Sequence, residues 1–180
     1  LDAVDSFNSG DYSEAEKTLV DILTVDKSYD SAWYYMGNLY IVAEDVESAN
    51  TCFANAVALD PKNYWYRYRH AQVNKYISAP AAIEMYEKLI EDFPKRSDLY
   101  WEMVVLYVSE ARYEDALETL HKVETIFGPT EELAVYAYRL YYTMERVDEG
   151  LEYLRNFNAK YSSPQVLTIL ADNEMSMYND

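Results

Sequence analysis

In residues 31–43 the apolar side chains Trp33, Met36, Tyr40 and Ala43 recur every three or four positions, the period that lines one face of an α-helix. Glu44-Asp45-Val46 makes a polar turn, and Ala49, Phe53, Ala56 and Leu59 then carry a second stripe of the same period. Asp60-Pro61 ends it, because the residue before a proline is pushed out of the helical region. The pattern predicts two antiparallel helices. Gly37, Ala49 and Ala56 are small where the pair must cross closely, and Trp33 and Phe53 supply the bulk around them.

Shifting this template by 34 residues finds it again in both directions. Backward, the return stripe falls on Ala15, Leu19 and Ile22, with 1–9 as the tail of a first helix and Gly10-Asp11-Tyr12 as its turn. Forward, a third unit has Ala71 for the glycine, then Ala82, Tyr86, Leu89 and Pro94. It is one residue short around Ser78-Ala79-Pro80, where Pro80 suits a helix start. A fourth keeps Tyr107, Ala116, Leu120 and Val123 and closes at Gly128-Pro129. The fifth has Tyr138 at the glycine position and Gly150 at the facing alanine position, a large-for-small exchange that conserves volume. Val166, Leu167, Ile169, Leu170, Met175 and Met177 make 165–180 read as the first helix of a further unit. The predicted organisation is one array over 1–180: a partial unit at 1–29, then 30–63, 64–96, 97–130 and 131–164, and the helix 165–180.

Counted from Trp33, the residues Met36, Gly37, Tyr40, Ala49, Phe53, Ala56 and Pro61 lie at offsets 3, 4, 7, 16, 20, 23 and 28. This ladder resembles the tetratricopeptide repeat, whose eight signature positions are all met in this unit. The resemblance extends over essentially the whole chain. It implies an all-α fold, an α-solenoid of stacked antiparallel helix pairs forming a right-handed superhelix. Each repeat of such a stack buries its face on the next, so the two ends, which carry no polar cap, lead us to expect a segment of a longer repeat protein.

Composition narrows the picture. Only four glycines and five prolines occur in 180 residues, and no linker is long enough to divide domains. No charged-then-apolar leader and no apolar run near bilayer length is present, so membrane insertion is not expected. The expectation is a soluble protein, cytoplasmic by default with export left open. The single cysteine, Cys52, can form no intrachain disulfide. A net charge of −17 argues against nucleic acid, whose binding rests on clustered Lys and Arg. Glu47, Glu84, Glu87, Glu114, Asp115 and Glu118 fall on second helices, where they serve solubility and helix N-termini or steer a basic partner. Residues 65–97 alone are net positive, with six basic and four acidic side chains.

In tetratricopeptide arrays the first helices line a concave groove, so the resemblance implies a protein-interaction scaffold that binds a peptide or partner segment there. Its implied contact residues are Tyr34, Asn38, Trp65, Tyr68, Arg69, Gln72, Lys75, Tyr76, Trp101, Val105, Arg139 and Tyr142, with Ile41, Val108 and Val135 at neighbouring positions. Tyr and Trp give large contact area at small entropic loss, and Asn or Gln between them can hydrogen-bond an extended backbone. Arg69 then reads as an anchor for a carboxylate. The bland reading of the same helix has Tyr66, His70 and Val73 facing neighbouring helices while Arg67 and Arg69 pair with nearby acids. The clamp by which some arrays grip the EEVD tail of chaperones falls here on Tyr34, Asn38, Arg69, Asp98 and Glu102, of which only Asn38 matches, so that ligand is not expected.

The chain has two histidines, His70 and His121, and no glycine-rich phosphate loop or cysteine pair. His121 and Glu124 stand one turn apart, a spacing more often surface or core than metal site. No enzyme activity, metal or cofactor is expected. The alternative to a binding scaffold is a structural spacer or self-association module that stacks through its terminal helices.

Overall fold

The computed structural model describes residues 2–177. Eleven helices and no strand occur among them: α1 (Asp2–Ser9), α2 (Tyr12–Val25), α3 (Asp30–Val42), α4 (Val46–Leu59), α5 (Tyr64–Asn74), α6 (Ala79–Asp92), α7 (Ser97–Ser109), α8 (Tyr113–Phe127), α9 (Glu131–Thr143), α10 (Val147–Tyr161) and α11 (Pro164–Met177). The helices group into two compact units, Leu1–Phe93 and Pro94–Asp180. Consecutive helices pack within each, and α11 lies against both α9 and α10.

The first two positions of the stripe predicted for each second helix are core throughout; further along, Leu23 rather than the predicted Ile22 is buried in α2, and Leu59, at the end of α4, is exposed. Ala15, Ala49, Ala82 and Ala116 are fully buried, and buried Gly150 takes the same place in α10. One turn on, Leu19, Phe53, Tyr86, Leu120 and Leu154 are all enclosed. A small residue followed by a large one lets two helices approach and then fills the space beside the crossing. At Gly37 the approach is closest, since a Cβ built there would lie 2.8 Å from Cε1 of the Phe53 ring. In the fifth pair the exchange read from the sequence is physically present. A Cβ on Gly150 would meet Tyr141 Cβ at 2.8 Å and Tyr138 Cδ2 at 3.0 Å.

The turns inside the pairs share a geometry that only partly shows in the sequence. Gly10, Glu44, Ala111 and Glu145 all have positive φ, between 55° and 83°. Each is followed by a backbone bond reaching back five residues: Asp11 to Ser6, Asp45 to Tyr40, Arg112 to Tyr107 and Arg146 to Tyr141, all at 2.8–2.9 Å. This is the Schellman closure of a helix end, which needs one left-handed residue. The third pair, one residue short, lacks that residue, and Ser78 N–H reaches back only to Asn74 at 2.8 Å. A non-glycine residue in the left-handed region costs about 1–2 kcal/mol. Ala111→Gly should therefore raise stability by about 1 kcal/mol in urea unfolding. Ile77→Gly, in the short turn, should give no gain.

Side chains cap helix starts in both units, Thr130 serving α9, but the second helices differ. Asp11, Asp45, Asn63 and Ser78 accept backbone N–H bonds at the starts of α2, α4, α5 and α6. At α8 and α10 that position holds Arg112 and Arg146, which make no cap bond. Arg112 pairs with Asp115 at 2.7 Å and lies 4.6 Å from the Tyr107 ring centre, and Arg146 pairs with Glu149 and lies 5.2 Å from that of Tyr141. Cys52 is buried, and that burial pushes its thiol up to about 11, making it an inert packing group.

Candidate functional site

Five of the residues singled out from the sequence meet between α3 and α5. Asn38 lies one turn after Tyr34, is buried, and donates through Nδ2 to the Tyr34 carbonyl oxygen at 2.8 Å. That bond turns its Oδ1 outward to accept from Arg69 Nη2 at 2.7 Å. Arg69 Nη1 donates to Gln72 Oε1 at 3.1 Å, and Gln72 Nε2 donates to the Tyr68 hydroxyl at 3.0 Å. The relay from Tyr68 to Tyr34 fixes a half-buried guanidinium with amide oxygens, and no carboxylate forms an ion pair with it among the described residues. Arg67 does what the bland reading expected and pairs with Asp92 at 2.6 Å; Arg69 does not. Both bonds to Arg69 are neutral acceptors, so its charge is held in place without being cancelled.

Aromatic rings surround this relay. Tyr34 lies 5.1 Å from Tyr66, and Tyr68 stacks on Tyr64 at 5.7 Å and meets Trp65 edge-on at 6.2 Å. Asn63 holds the start of α5 by accepting from the N–H groups of Trp65 and Tyr66, which sets this register. Tyr66 itself is buried; that burial, with Asp30 beside it, pushes its hydroxyl up to about 12. Trp65 is 55% exposed and Tyr76, just past the end of α5, is 79% exposed. Lys75 is half-buried at the same helix end.

The remaining candidates belong to the other unit. The Trp101 ring meets Tyr136 edge-on at 5.5 Å, joining α7 to α9. Val105 is exposed one turn after Trp101. Arg139 is exposed on α9, and Tyr142, also exposed, lies 6.3 Å from Tyr138. One neighbouring position is corrected. Val135 is buried in a cluster with Leu151, Leu154 and Val166, and Tyr136 takes the place beside Trp101. A 34-residue offset gives the position along a helix but not the rotation of that helix about its axis, so Tyr136 carried no signal in the sequence.

The His121–Glu124 pair noted on α8 has ordinary neighbours. Glu124 accepts from the Tyr153 hydroxyl at 3.0 Å, and the His121 ring lies 5.7 Å from that of Tyr153. Among the described residues no group of three or more His, Cys, Asp and Glu is arranged to hold a metal, and no helix is long and apolar enough to cross a membrane.

Comparison with known proteins agrees with the register. The tetratricopeptide repeat family model matches residues 31–63, the unit with the full ladder. No curated protein matches the chain in sequence. Among solved structures, a MamA protein superposes with a TM-score of 0.73 at 20% identity, covering 89% of this chain and 92% of that one. MamA from Desulfovibrio magneticus RS-1 gives 0.70 at 17% identity, covering 90% and 93%. YrrB, a tetratricopeptide repeat protein with an unusual peptide-binding site, gives 0.70 at 18% identity, covering 94% and 88%. At these identities the likeness speaks for the fold. Residues 31–63 match the tetratricopeptide repeat model, the small-then-large core register of that unit recurs in the helix pairs before and after it, and the fold is the one seen in tetratricopeptide repeat proteins.

Proposed function

We propose that this protein is an interaction scaffold whose α3–α5 face, in the unit formed by residues 2–93, binds an extended peptide or partner segment. The observation that carries the reading is Arg69, fixed by Asn38 and Gln72 with its charge uncancelled among exposed and half-buried aromatic rings. A carboxylate of the bound segment would complete that guanidinium with a charge-assisted bond, worth roughly twice a neutral one. Trp65, Tyr68 and Tyr34 offer flat contact area beside it, with Lys75 and Tyr76 further along α5. Trp101 and Val105 on α7 and Arg139 and Tyr142 on α9, in the other unit, are read as contacting the same class of ligand. That YrrB, a chain of this fold, has a peptide-binding site supports the assignment.

Peptides selected from a random display library on this chain test it. They should be enriched in Asp, Glu or a free C-terminus, and Arg69→Gln should weaken them roughly 10- to 100-fold by calorimetry. Tyr68→Ala should weaken them to a similar extent, while circular dichroism shows both variants as helical as the parent. Peptides indifferent to both substitutions would remove this face from the reading. A spacer that only self-associates would yield no such peptides and would show higher-order species in light scattering.

A further inference from the structure

A second polar site lies in the same unit, independent of the peptide face. Arg67 and His70 of α5, Met85 and Lys88 of α6 and Val57 of α4 line a pocket of about 210 Å³. Val57 and Met85 make part of it apolar. The other three supply nitrogen donors, and no carboxylate is among the lining residues, in a chain whose net charge is −17.

The Arg67 side chain is only 16% exposed and is held rigidly. Nη1 donates to Asp92 Oδ2 at 2.6 Å, Nη2 donates to the Lys88 carbonyl oxygen at 2.9 Å, and the guanidinium sits 6.0 Å from the Phe93 ring centre. Those bonds use two of the five N–H donors of a guanidinium. The half-buried His70 imidazole makes no hydrogen bond among the described residues, and its burial holds its pKa below the ordinary value. Lys88 is exposed and forms no ion pair among the described residues. Arg67 ties α5 to α6 and still has N–H donors to spare, while the imidazole of His70 and the ammonium of Lys88 face the same cavity without partners among the described residues.

We propose that this pocket binds a phosphate group, as the free ion or on a small phosphomonoester. Arg67 and Lys88, less the charge of Asp92, leave one positive charge, and a bound phosphate would favour on His70 the proton that burial alone disfavours. Guanidinium, ammonium and imidazole N–H donors suit the tetrahedral phosphate oxygens, and Arg in a fixed position is a preferred partner of phosphate. Val57 and Met85 would face the organic part of an ester. The surrounding negative charge repels a polyanion, whose binding needs an extended basic track. It weighs less on a single group in contact, because charges beyond about 8 Å are screened at physiological salt.

The chain contains only two histidines, so NMR of the imidazole C–H signals reads the site directly, with His70→Gln assigning the resonances. Inorganic phosphate, O-phosphoserine and chloride would be titrated in turn at matched ionic strength and pH 7. The expected result is a saturable shift of the His70 signals by one or both phosphate compounds, with His121 unmoved. Lys88→Gln should weaken that binding about tenfold with an unchanged thermal midpoint. Tighter binding of phosphoserine assigns the pocket to an ester, and tighter binding of the free ion to phosphate itself. A His70 signal that follows chloride equally, or phosphate binding indifferent to Lys88→Gln, overturns the proposal.

Discussion

Phe53→Ala is expected to lower the unfolding free energy by about 3–5 kcal/mol, the range for truncating a buried aromatic ring. Phe53 is fully enclosed, meets the Tyr34 ring at 5.9 Å and fills the space that the missing side chain of Gly37 leaves open. The sharper expectation concerns the pair. In the parent, Gly37→Ala puts a Cβ 2.8 Å from the Phe53 ring. Overpacking of that kind costs about 1–3 kcal/mol. In the Phe53→Ala background the ring is gone, and alanine keeps its advantage over glycine in a helix of about 1 kcal/mol. Gly37→Ala should then be neutral or stabilising, giving a coupling of about 1–3 kcal/mol in a double-mutant cycle followed by urea unfolding. Additive effects would show that the glycine is not there to admit the ring.

The corresponding exchange in the fifth pair behaves differently. Gly150→Ala should destabilise the protein by about 2–3 kcal/mol, at the upper end of overpacking costs. The atom first met is Tyr141 Cβ at 2.8 Å, with Tyr138 Cδ2 at 3.0 Å behind it. A ring edge can swing aside. A Cβ is fixed to the backbone of α9, so the helices themselves must part. Adding Tyr138→Ala should recover only a minor share of the loss, and it also removes the bond between the Tyr138 hydroxyl and Asn173. Full rescue by Tyr138→Ala would mean that the tyrosine ring alone sets the spacing, as the sequence pattern suggested.

These two cases show which relations the sequence carries. The register of small and large residues on the second helices was readable because a close helix crossing admits so few side chains; Ala15, Ala49, Ala82, Ala116 and Gly150 stand where 34-residue counting puts them, apart from the one-residue deletion. The turns were half readable. Gly10 announces its left-handed backbone, whereas Glu44, Ala111 and Glu145 adopt the same angles with side chains that give no such sign. Arg69 was readable as a candidate but not in its partners. Nearby acids were the natural expectation in an acidic chain, yet the guanidinium is held by Asn38, 31 positions away, and by Gln72.

By itself the sequence determined the helical class, the pairing of helices, the repeat length and the core positions, because periodicity and residue volume are local properties that every correct packing must respect. Tertiary structure alone decided how each helix is rotated about its axis, and with it whether Val135 or Tyr136 stands beside Trp101. It also decided which cations are neutralised. Arg67 meets Asp92 and the cavity it shares with His70 and Lys88, while Arg69, two residues on and turned by roughly 200° in a helix of 3.6 residues per turn, meets only amides. That difference depends on what distant segments bring to each side of one helix, and no local pattern encodes it.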